Sequence, residues 1–392
     1  MERRLPATAA TRGPKQHYFG YYDGDQFDAS GRYLLGLECD VIGRLQTPDD
    51  RATVGIVDLE RGNEWTPVAE TAAWNWQMGC KAEWLPGRNR TIVYNDRRDG
   101  RFVCAIHDIE EGEQQVLPAP IFEMAPDGRS ALTLNFARLW DVRPETGYCG
   151  TEDPWHDEPA PAEDGIFRTD LDTGETTLII SHRDMASFPP TADMPPECKR
   201  YFTHLLFNND GSRFMFWYRC ASSNGRHSSY RSGVYVASPD GKDICLLNDR
   251  NSHCTWLGRD RVLAWATRRD KGAHTYLFTD GTEDVEIMGE GVLEFNGHST
   301  FSPNKQWLLT DMPPDENDMR TLALYSCAAN RCVVIGRFHS MPALTGPLRC
   351  DLHPRWSRDG TKVCIDSTHE GSRQMYLLDV SDIVTRPDPA YL

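Results

Sequence analysis

The sequence lacks the patterns that mark several common classes of protein. No run of about 18 apolar residues occurs, which excludes a membrane-spanning helix. Residues 1–16 contain no apolar signal segment, so we expect a cytoplasmic location. GxSxG, P-loop and GxGxxG motifs are also absent, which argues against a serine hydrolase, a P-loop nucleotide enzyme and a dinucleotide-binding enzyme. We therefore expect no organic cofactor.

Basic charge is scarce as well. The 392 residues include 42 basic and 58 acidic side chains, which give a net charge of −16. Proteins that bind nucleic acids or anionic membranes depend on clustered cations, so we expect neither partner. The 12 cysteines form no CxxC pair, which predicts reduced and mostly buried thiols. Cys327 and Cys332 flank a predicted hairpin turn, and a disulfide between them is the less favoured alternative.

Helical periodicity is rare, whereas one strand phrase recurs seven times. Each copy has an aromatic or apolar residue, a short polar turn that often contains Asp-Gly, and an apolar strand. A second strand-like segment, rich in β-branched and aromatic residues, follows each copy. The residues that begin the seven copies are Phe27, Trp84, Met124, Phe207, Trp256, Phe301 and Trp356.

The repeat predicts an all-β fold, a seven-bladed β-propeller with four-stranded antiparallel blades around a central channel. Radial stacking covers both faces of each sheet, so we interpret the repeat aromatics as packing between blades rather than as carbohydrate contacts. A pair of β-sandwiches is the alternative, and seven copies in phase argue against it. We expect a single domain over residues 1–392, with blades at 17–68, 74–117, 118–183, 200–248, 249–289, 290–338 and 339–384.

Two insertions interrupt the repeat. Residues 141–164 are acidic and proline-rich, and residues 185–199 contain four prolines. Both are predicted to be long excursions between strands of one blade. Long loops on a rigid scaffold are where binding surfaces collect.

The position three residues before each repeat aromatic predicts a functional centre. It holds, in chain order, Gly24, Lys81, Ile121, His204, His253, His298 and His353. Equivalent positions of a propeller form a ring around the channel, so four imidazoles should converge at one mouth. Convergent neutral imidazoles favour a divalent metal or a proton-transfer role. Histidines that only tie strands together are the alternative.

Other residues are predicted to extend this centre. Cys350 and Asp351 precede His353, and both residue types bind metals, although a lone cysteine is as often a small buried filler. Arginines of the His204 blade have the chemistry to bind a carboxylate through two parallel hydrogen bonds. Asp311 follows a predicted strand and is expected at the same rim. The residues predicted to bind substrate are Arg226, Arg231, Arg219, Tyr22, Trp76 and Gln77.

Three segments resemble the seven-bladed polysaccharide lyases, of which the oligogalacturonate lyases and the ulvan lyases are the nearest examples. The segments are Asp-Leu-His-Pro-Arg-Trp-Ser-Arg-Asp-Gly from Asp351, Asn-Gly-His-Ser-Thr-Phe-Ser-Pro-Asn from Asn296, and His-Tyr-Phe-Gly-Tyr-Tyr-Asp from His17. The resemblance in architecture covers nearly the whole chain, whereas Trp-Ser-x-Asp-Gly turns occur in many propellers.

The resemblance to oligogalacturonate lyases implies that His253 is the catalytic base. It implies that His298 and His353 bind a divalent metal, typically manganese, with zinc or calcium as alternatives. Cys350 stands where that family has an amide ligand, and Arg355 stands where it has a further histidine.

The resemblance to ulvan lyases implies a different division of roles. His204 and Tyr230 would transfer protons, and Arg226 or Arg231 would bind the uronate carboxylate. The predicted catalytic residues are therefore His204, His253 and Tyr230, and the predicted metal ligands are His298, Cys350 and His353.

These predictions describe a carbon–oxygen lyase that cleaves uronate-containing oligosaccharides by β-elimination. A base removes the proton at C5, a cation neutralises the carboxylate, and an acid protonates the leaving oxygen at C4. The expected partner is a short acidic oligosaccharide. The alternatives are a non-catalytic propeller that binds proteins, and a glycoside hydrolase or an epimerase on the same fold. No spacing singles out a carboxylate pair for glycoside hydrolysis.

Overall fold

Seven four-stranded antiparallel sheets surround a common axis in the computed structural model. The model describes residues 1–190, 195–221 and 229–385, and of residues 229–231 it describes the main chain alone. The predicted seven-bladed β-propeller is confirmed. Along the described segments, no helix has the length and apolar character needed to cross a membrane.

The chain begins with β1 (Thr8–Ala9), which belongs to the last blade. The strands of the first three blades, from the axis outwards, are β2 (Gln16–Tyr18), β3 (Tyr33–Cys39), β4 (Ala52–Asp58) and β5 (Glu64–Thr71); β6 (Glu83–Trp84), β7 (Thr91–Arg98), β8 (Arg101–Asp108) and β9 (Gly112–Leu117); and β10 (Glu123–Met124), β11 (Ser130–Thr133), β12 (Gly165–Asp170) and β13 (Thr176–Ser181).

The strands of the next three blades, in the same order, are β14 (Arg200–Phe207), β15 (Phe214–Ala221), β16 (Ser229–Ala237) and β17 (Cys245–Asn248); β18 (Asn251–Leu257), β19 (Arg261–Arg268), β20 (Gly272–Thr279) and β21 (Val285–Ile287); and β22 (Ser299–Phe301), β23 (Trp307–Asp311), β24 (Met319–Ser326) and β25 (Arg331–His339). The last blade contains β26 (Arg355–Trp356), β27 (Lys362–Ser367) and β28 (Gln374–Asp379).

The N-terminal strand closes the ring. In β1, Thr8 pairs with Leu377 and Ala9 pairs with Tyr376 of β28. The last blade therefore takes its outer strand from the start of the chain, which the predicted boundaries 339–384 leave out. This pairing supplies hydrogen-bond partners to the outer edge of β28 and joins the N-terminal segment to the last blade.

The two insertions occupy different places in the fold. The first lies inside the third blade, between β11 and β12, as predicted, and it carries α1 (Phe136–Val142). The second insertion links the third blade to the fourth, because β13 ends before it and β14 begins after it. Its predicted position within one blade is therefore corrected. Among the described residues, the other helices are α2 (His182–Met185), α3 (Ser381–Val384) and a 3-10 turn at Gly346–Leu348.

The repeat tryptophans join neighbouring blades, as the sequence predicts. Trp84 donates its indole N–H to the carbonyl of Gln26 at 2.9 Å, and Trp256 donates to the carbonyl of Leu206 at 3.0 Å. Leu206 lies on β14, the inner strand of the preceding blade, and Gln26 precedes Phe27, which bridges Leu34 on β3 of the preceding blade. The rings are less than a tenth exposed, so each one contributes apolar burial and a directional bond to the same interface.

Replacing Trp256 with phenylalanine is expected to lower the free energy of unfolding by about 1–3 kcal/mol, because the carbonyl of Leu206 loses its buried donor. Urea denaturation followed by circular dichroism measures the loss. Trp65→Phe is the matched control, since the described residues offer no hydrogen-bond partner to the indole nitrogen of Trp65. Equal losses in the two variants would contradict a role for the hydrogen bond.

One disulfide is present among the described residues. Cys198 and Cys220 are joined, with their Cα atoms 5.8 Å apart, whereas Cys327 and Cys332 are free. The expectation of reduced thiols is therefore wrong for Cys198 and Cys220. This bond ties the segment before β14 to the end of β15.

Candidate functional site

Histidines from four successive blades meet at one mouth of the channel. The ring centroids of His253 and His298 lie 4.0 Å apart, and those of His298 and His353 lie 4.5 Å apart. His204 joins this group through Tyr21, whose ring centroid is 5.1 Å from His204 and 4.9 Å from His353. The structure thus brings together all four histidines that share one phase of the repeat.

The backbone at these positions explains how the side chains reach the axis. His204, His253 and His353 have φ values of 53°, 42° and 42°, in the left-handed region that residues other than glycine rarely adopt. The strand pairing shifts register at His204 in β14 and at His253 in β18. Such a bulge redirects one side chain out of the sheet's alternation. Backbone strain of this kind, about 1–3 kcal/mol per residue, concentrates at functional sites.

His298 is held by an aspartate from the neighbouring strand. Its Nδ1 lies 3.0 Å from both carboxylate oxygens of Asp311, and its backbone N–H donates to the same carboxylate at 2.7 Å. A Cβ on Gly297 would lie 1.9 Å from the carbonyl oxygen of Asp311, so glycine permits this close approach. Because an ionised carboxylate only accepts hydrogen bonds, Nδ1 carries the proton and the lone pair of His298 is on Nε2.

His353 and His253 are oriented in the same way. His353 Nδ1 lies 2.8 Å from the carbonyl oxygen of Gly20, and His253 Nδ1 lies 2.8 Å from Asn296 Oδ1. Both partners are acceptors, so both rings donate through Nδ1. In the neutral tautomers set by these contacts, Nε2 of each ring carries the lone pair, and the ring of His253 packs against that of His298.

A carboxylate completes this group. Donor atoms of His298, Asp351 and His353 all lie within 4.8 Å of one another, and the three side chains are buried. Asp351 forms an ion pair with Arg320 at 2.8 Å and accepts a hydrogen bond from Arg349 at 2.7 Å. Burial opposes ionisation of Asp351, but Arg349 and Arg320 outweigh it and hold its pKa well below the usual value.

The residues of this group fit a divalent metal. The Nε2 atoms of His298 and His353 are buried and have no hydrogen-bond partner among the described residues. Histidines that bind metals usually donate their other N–H to a carboxylate or a carbonyl, as these two do. A carboxylate has about four lone-pair sites, so the two arginine contacts leave Asp351 able to bind an ion.

The predicted ligand Cys350 lies outside this group. Its thiol contacts the carbonyl oxygen of Asp351 at 3.9 Å, and burial raises its pKa to about 11. A buried neutral thiol is a poor ligand for a hard divalent cation. The carboxylate of Asp351, one residue later, takes the place predicted for Cys350.

A guanidinium group lies close to His204. Arg219 lies over the ring of Trp217 at 5.6 Å, and Trp217 packs against His204 with ring centroids 4.7 Å apart. The Nε of Arg219 is buried without a hydrogen-bond partner in the described parts of the chain. Burial and the nearby charge of Arg143 lower the pKa of Arg219. An anion bound here would accept a hydrogen bond from Nε and would compensate the buried positive charge of Arg219.

The imidazoles of His204 and His253 are held neutral. Burial lowers the pKa of His204 well below its usual value, and the charges of Arg219 and Arg143 add to this effect. Burial and the neighbouring His298 lower the pKa of His253 as well. Neutral rings keep the lone pairs that ligand binding and proton abstraction require.

Three predicted substrate-binding residues are buried and donate to main-chain atoms. Tyr22 is 3% exposed and donates its hydroxyl to the carbonyl of Cys254 at 3.1 Å. The Trp76 indole is buried and donates to the main chain at 2.9 Å. Gln77 is buried and donates to the carbonyl of Arg349 at 2.8 Å, next to the site, whereas its Oε1 has no hydrogen-bond partner among the described residues. The contact of these three residues with a sugar stays a prediction.

The remaining predicted substrate residues lie beyond the described atoms. Arg226 is outside the described residues, and so are the side chains of Tyr230 and Arg231. Their roles stay predictions. Arg355, which stands where oligogalacturonate lyases have a histidine, donates to the carbonyl of Gly24 and lies over the ring of Phe19 at 4.7 Å.

Sequence reasoning passed over the residue at the middle of the site. Tyr21 contacts three of the four histidines through its ring, and its hydroxyl lies 3.2 Å from His204 Nε2. The opening segment from His17 carries two adjacent tyrosines, and the prediction chose Tyr22. The sequence has no signal that separates them, because the different partners of their hydroxyl groups follow from the fold.

The surroundings of the histidine group also include acidic residues. Tyr22, whose ring lies against His253 and His298, lines a cavity of about 320 Å³ together with acidic residues and several repeat aromatics. Lys81, which occupies the ring position of the second blade, lies 3.5 Å from Asp23 and 3.3 Å from Glu83. The ring position therefore carries a salt-bridged lysine in one blade and imidazoles in four others.

Solved structures share this architecture. No protein-family model matches the chain, and no curated protein matches it. An oligogalacturonate lyase from Vibrio parahaemolyticus has a TM-score of 0.68 and 14% identity, covering 99% of this chain and 95% of that chain. An oligogalacturonate lyase in complex with manganese has a TM-score of 0.67 and 15% identity, covering 97% and 95%. A prolyl endopeptidase has a TM-score of 0.55 and 12% identity, covering 94% of this chain but 48% of its own.

These similarities establish the fold. The resemblance to oligogalacturonate lyases suggested by the sequence motifs is confirmed as a structural similarity along nearly the full length of both chains. A similar fold also forms part of a prolyl endopeptidase, so the activity of this chain must be argued from its site.

Proposed function

We propose that the protein is a carbon–oxygen lyase that cleaves uronate-containing oligosaccharides by β-elimination. The observation that carries this proposal is the grouping of His298 and His353 with the buried carboxylate of Asp351, with His253 packed against His298 and with Arg219 beside His204 through Trp217. β-Elimination needs a base, a cation for the carboxylate and an acid for the leaving group, and this set supplies each kind of group.

His253 is the base in this proposal. It is partly exposed, whereas His204, His298 and His353 are less than a tenth exposed. Because Nδ1 is committed to Asn296, Nε2 is the basic nitrogen that faces the ligand. A neutral imidazole there accepts the C5 proton of a uronate bound at the mouth.

Arg219 binds the carboxylate of the sugar whose C5 proton is removed. Its guanidinium borders the histidine group through Trp217, and its Nε is available for a hydrogen bond. A guanidinium that pairs with the carboxylate through two parallel bonds stabilises the negative charge that develops when the proton leaves.

His298, His353 and Asp351 hold a divalent metal in this proposal, and manganese is the ion bound by a structurally similar oligogalacturonate lyase. When bound, a divalent cation acts as a Lewis acid that stabilises negative charge on carboxylate oxygens. Asp311 and the carbonyl of Gly20 fix the two imidazoles in the tautomer that such an ion requires.

Incubation of the purified protein with a panel of uronate oligosaccharides tests this function. The expected result is an absorbance gain from the new C4–C5 double bond together with a shortened oligosaccharide. Products without the double bond would identify a hydrolase, and an inverted C5 without cleavage would identify an epimerase. The absence of any change across the panel would favour a non-catalytic binding propeller.

Arg219→Gln is expected to lower kcat/KM on a uronate oligosaccharide by about 10–100-fold, because charged hydrogen bonds contribute about 1.5–3 kcal/mol. The loss should shrink when the substrate carboxylate is methyl-esterified, since the neutral ester does not pair with a guanidinium. Arg259→Gln is the control, because Arg259 is largely exposed and pairs with Asp210 at 3.1 Å away from the histidines. An equal loss on acid and ester would contradict the assignment.

A further inference from the structure

The hydroxyl of Tyr21 occupies the middle of the site and has no role in the preceding argument. Its ring centroid lies 5.1 Å from His204, 5.7 Å from His298 and 4.9 Å from His353. Tyr21 is 6% exposed, so it forms the floor of the histidine group. The neighbouring phenol of Tyr22 is committed to a main-chain carbonyl.

The only hydrogen bond found for Tyr21 Oη in the described parts of the chain is with His204 Nε2, at 3.2 Å. The other ring nitrogen of His204 lies 2.9 Å from Thr203 Oγ1. When the hydroxyl of Thr203 donates to Nδ1, His204 donates from Nε2 to Tyr21 Oη. The phenolic proton of Tyr21 is then free to point towards a ligand.

We propose that Tyr21 is the proton donor to the leaving oxygen in this reaction, and that His204 is a positioning residue for it. This inference rests on the proposed function. The rings of His253 and Tyr21 both lie against His298, with centroid distances of 4.0 Å and 5.7 Å, so a sugar that reaches both has a base and a phenol within one bound geometry.

The proton and electron balance is complete with these residues. The pair of electrons of the C5–H bond forms the C4–C5 double bond as His253 Nε2 takes the proton. The C4–O4 bond breaks with its electrons on O4, and Tyr21 gives its proton to O4. Solvent then carries the proton of the His253 imidazolium to the tyrosinate, which restores both groups.

A hydrogen bond from His204 Nε2 would lie directly on the oxygen of Tyr21 that becomes charged when the phenol gives up its proton. A fixed donor of this kind stabilises a transient anion without reorganisation.

Leaving-group dependence tests the inference. The substrates are a uronate oligosaccharide, whose alkoxide needs a proton to leave, and a uronoside with fluoride at C4, which leaves without one. Tyr21→Phe is expected to lose about 10²–10⁴-fold in kcat on the oligosaccharide and less than about tenfold on the fluoride. His253→Ala is expected to lose activity on both, because both reactions require removal of the C5 proton.

The control is Tyr276→Phe, a buried phenol in the fifth blade that donates to the carbonyl of Gly272 at 2.9 Å. It should retain activity on both substrates. Equal losses on the two substrates in Tyr21→Phe, or unchanged rates, would overturn the donor role. If Tyr230→Phe, and not Tyr21→Phe, lost activity on the oligosaccharide while keeping it on the fluoride, the donor would be Tyr230. Wild-type protein inactive on both substrates would overturn the proposed function and the donor with it.

Discussion

Replacing His253 with alanine is expected to lower kcat/KM on a uronate oligosaccharide by about 10²–10⁴-fold, the usual contribution of a general base. The Nδ1 of His253 is engaged by Asn296, so Nε2 is the nitrogen left to accept the C5 proton. The substitution removes this acceptor and leaves the surrounding imidazoles in place. The rate of double-bond formation measures the effect, and a melting curve shows whether the fold is intact.

The matched control for His253 is His274→Ala. His274 belongs to the same blade, on β20, and its Nε2 contacts the carbonyl of Lys271 at 3.0 Å. This variant should keep the wild-type rate. A wild-type rate in His253→Ala, with the fold preserved, would contradict the base assignment.

Replacing His298 with alanine is expected to abolish tight binding of a divalent metal. His298 supplies one of two buried Nε2 atoms that lack a hydrogen-bond partner within the described part of the chain. Asp311→Asn should weaken the metal by about 10–100-fold, because the carboxylate fixes the tautomer and raises the basicity of the ring. Elemental analysis after dialysis against manganese, and titration calorimetry of the metal-free protein, measure both effects.

The control for the metal experiment is His369→Ala. His369 is partly exposed on the seventh blade, and its Nδ1 contacts Ser367 at 2.9 Å. Its removal should leave the metal content unchanged. Wild-type metal content in the His298→Ala protein would refute the assigned site. A moderate loss of metal affinity in Asp311→Asn and a larger loss in His298→Ala would support it.

The repeat made the fold and the ring of histidines predictable. The copies that begin at Phe207, Trp256, Phe301 and Trp356 carry histidine at the same offset, and equal offsets in a closed wheel occupy equivalent radial positions. The symmetry of the propeller therefore allows an equal spacing in the sequence to predict that the four histidines lie close together in space. The boundary of the last blade was not accessible in this way, because its outer strand comes from the N-terminus.

The details of the site depended on features that spacing does not encode. Cys350 and Asp351 are adjacent, and both precede His353, so the sequence offers no reason to prefer one as a ligand. The structure separates them, because Asp351 lies between Arg320 and Arg349, whereas the thiol of Cys350 contacts main chain. The same holds for Tyr21 and Tyr22, whose hydroxyls contact different blades.

Several expectations remain predictions. They include the cytoplasmic location, the absence of nucleic-acid and membrane partners, and the roles of Arg226, Tyr230 and Arg231. The acidic oligosaccharide substrate belongs to the proposed function, and the uronate panel tests it.

The sequence by itself determined the number of blades and the phase at which imidazoles recur, since each blade must bury the same aromatic position against its neighbour. The tertiary structure alone decided which nitrogen of each ring faces the site. That choice depends on acceptors brought from distant parts of the chain, such as the carbonyl of Gly20 beside His353. Such contacts form only when the first and last blades meet, so no local pattern records them.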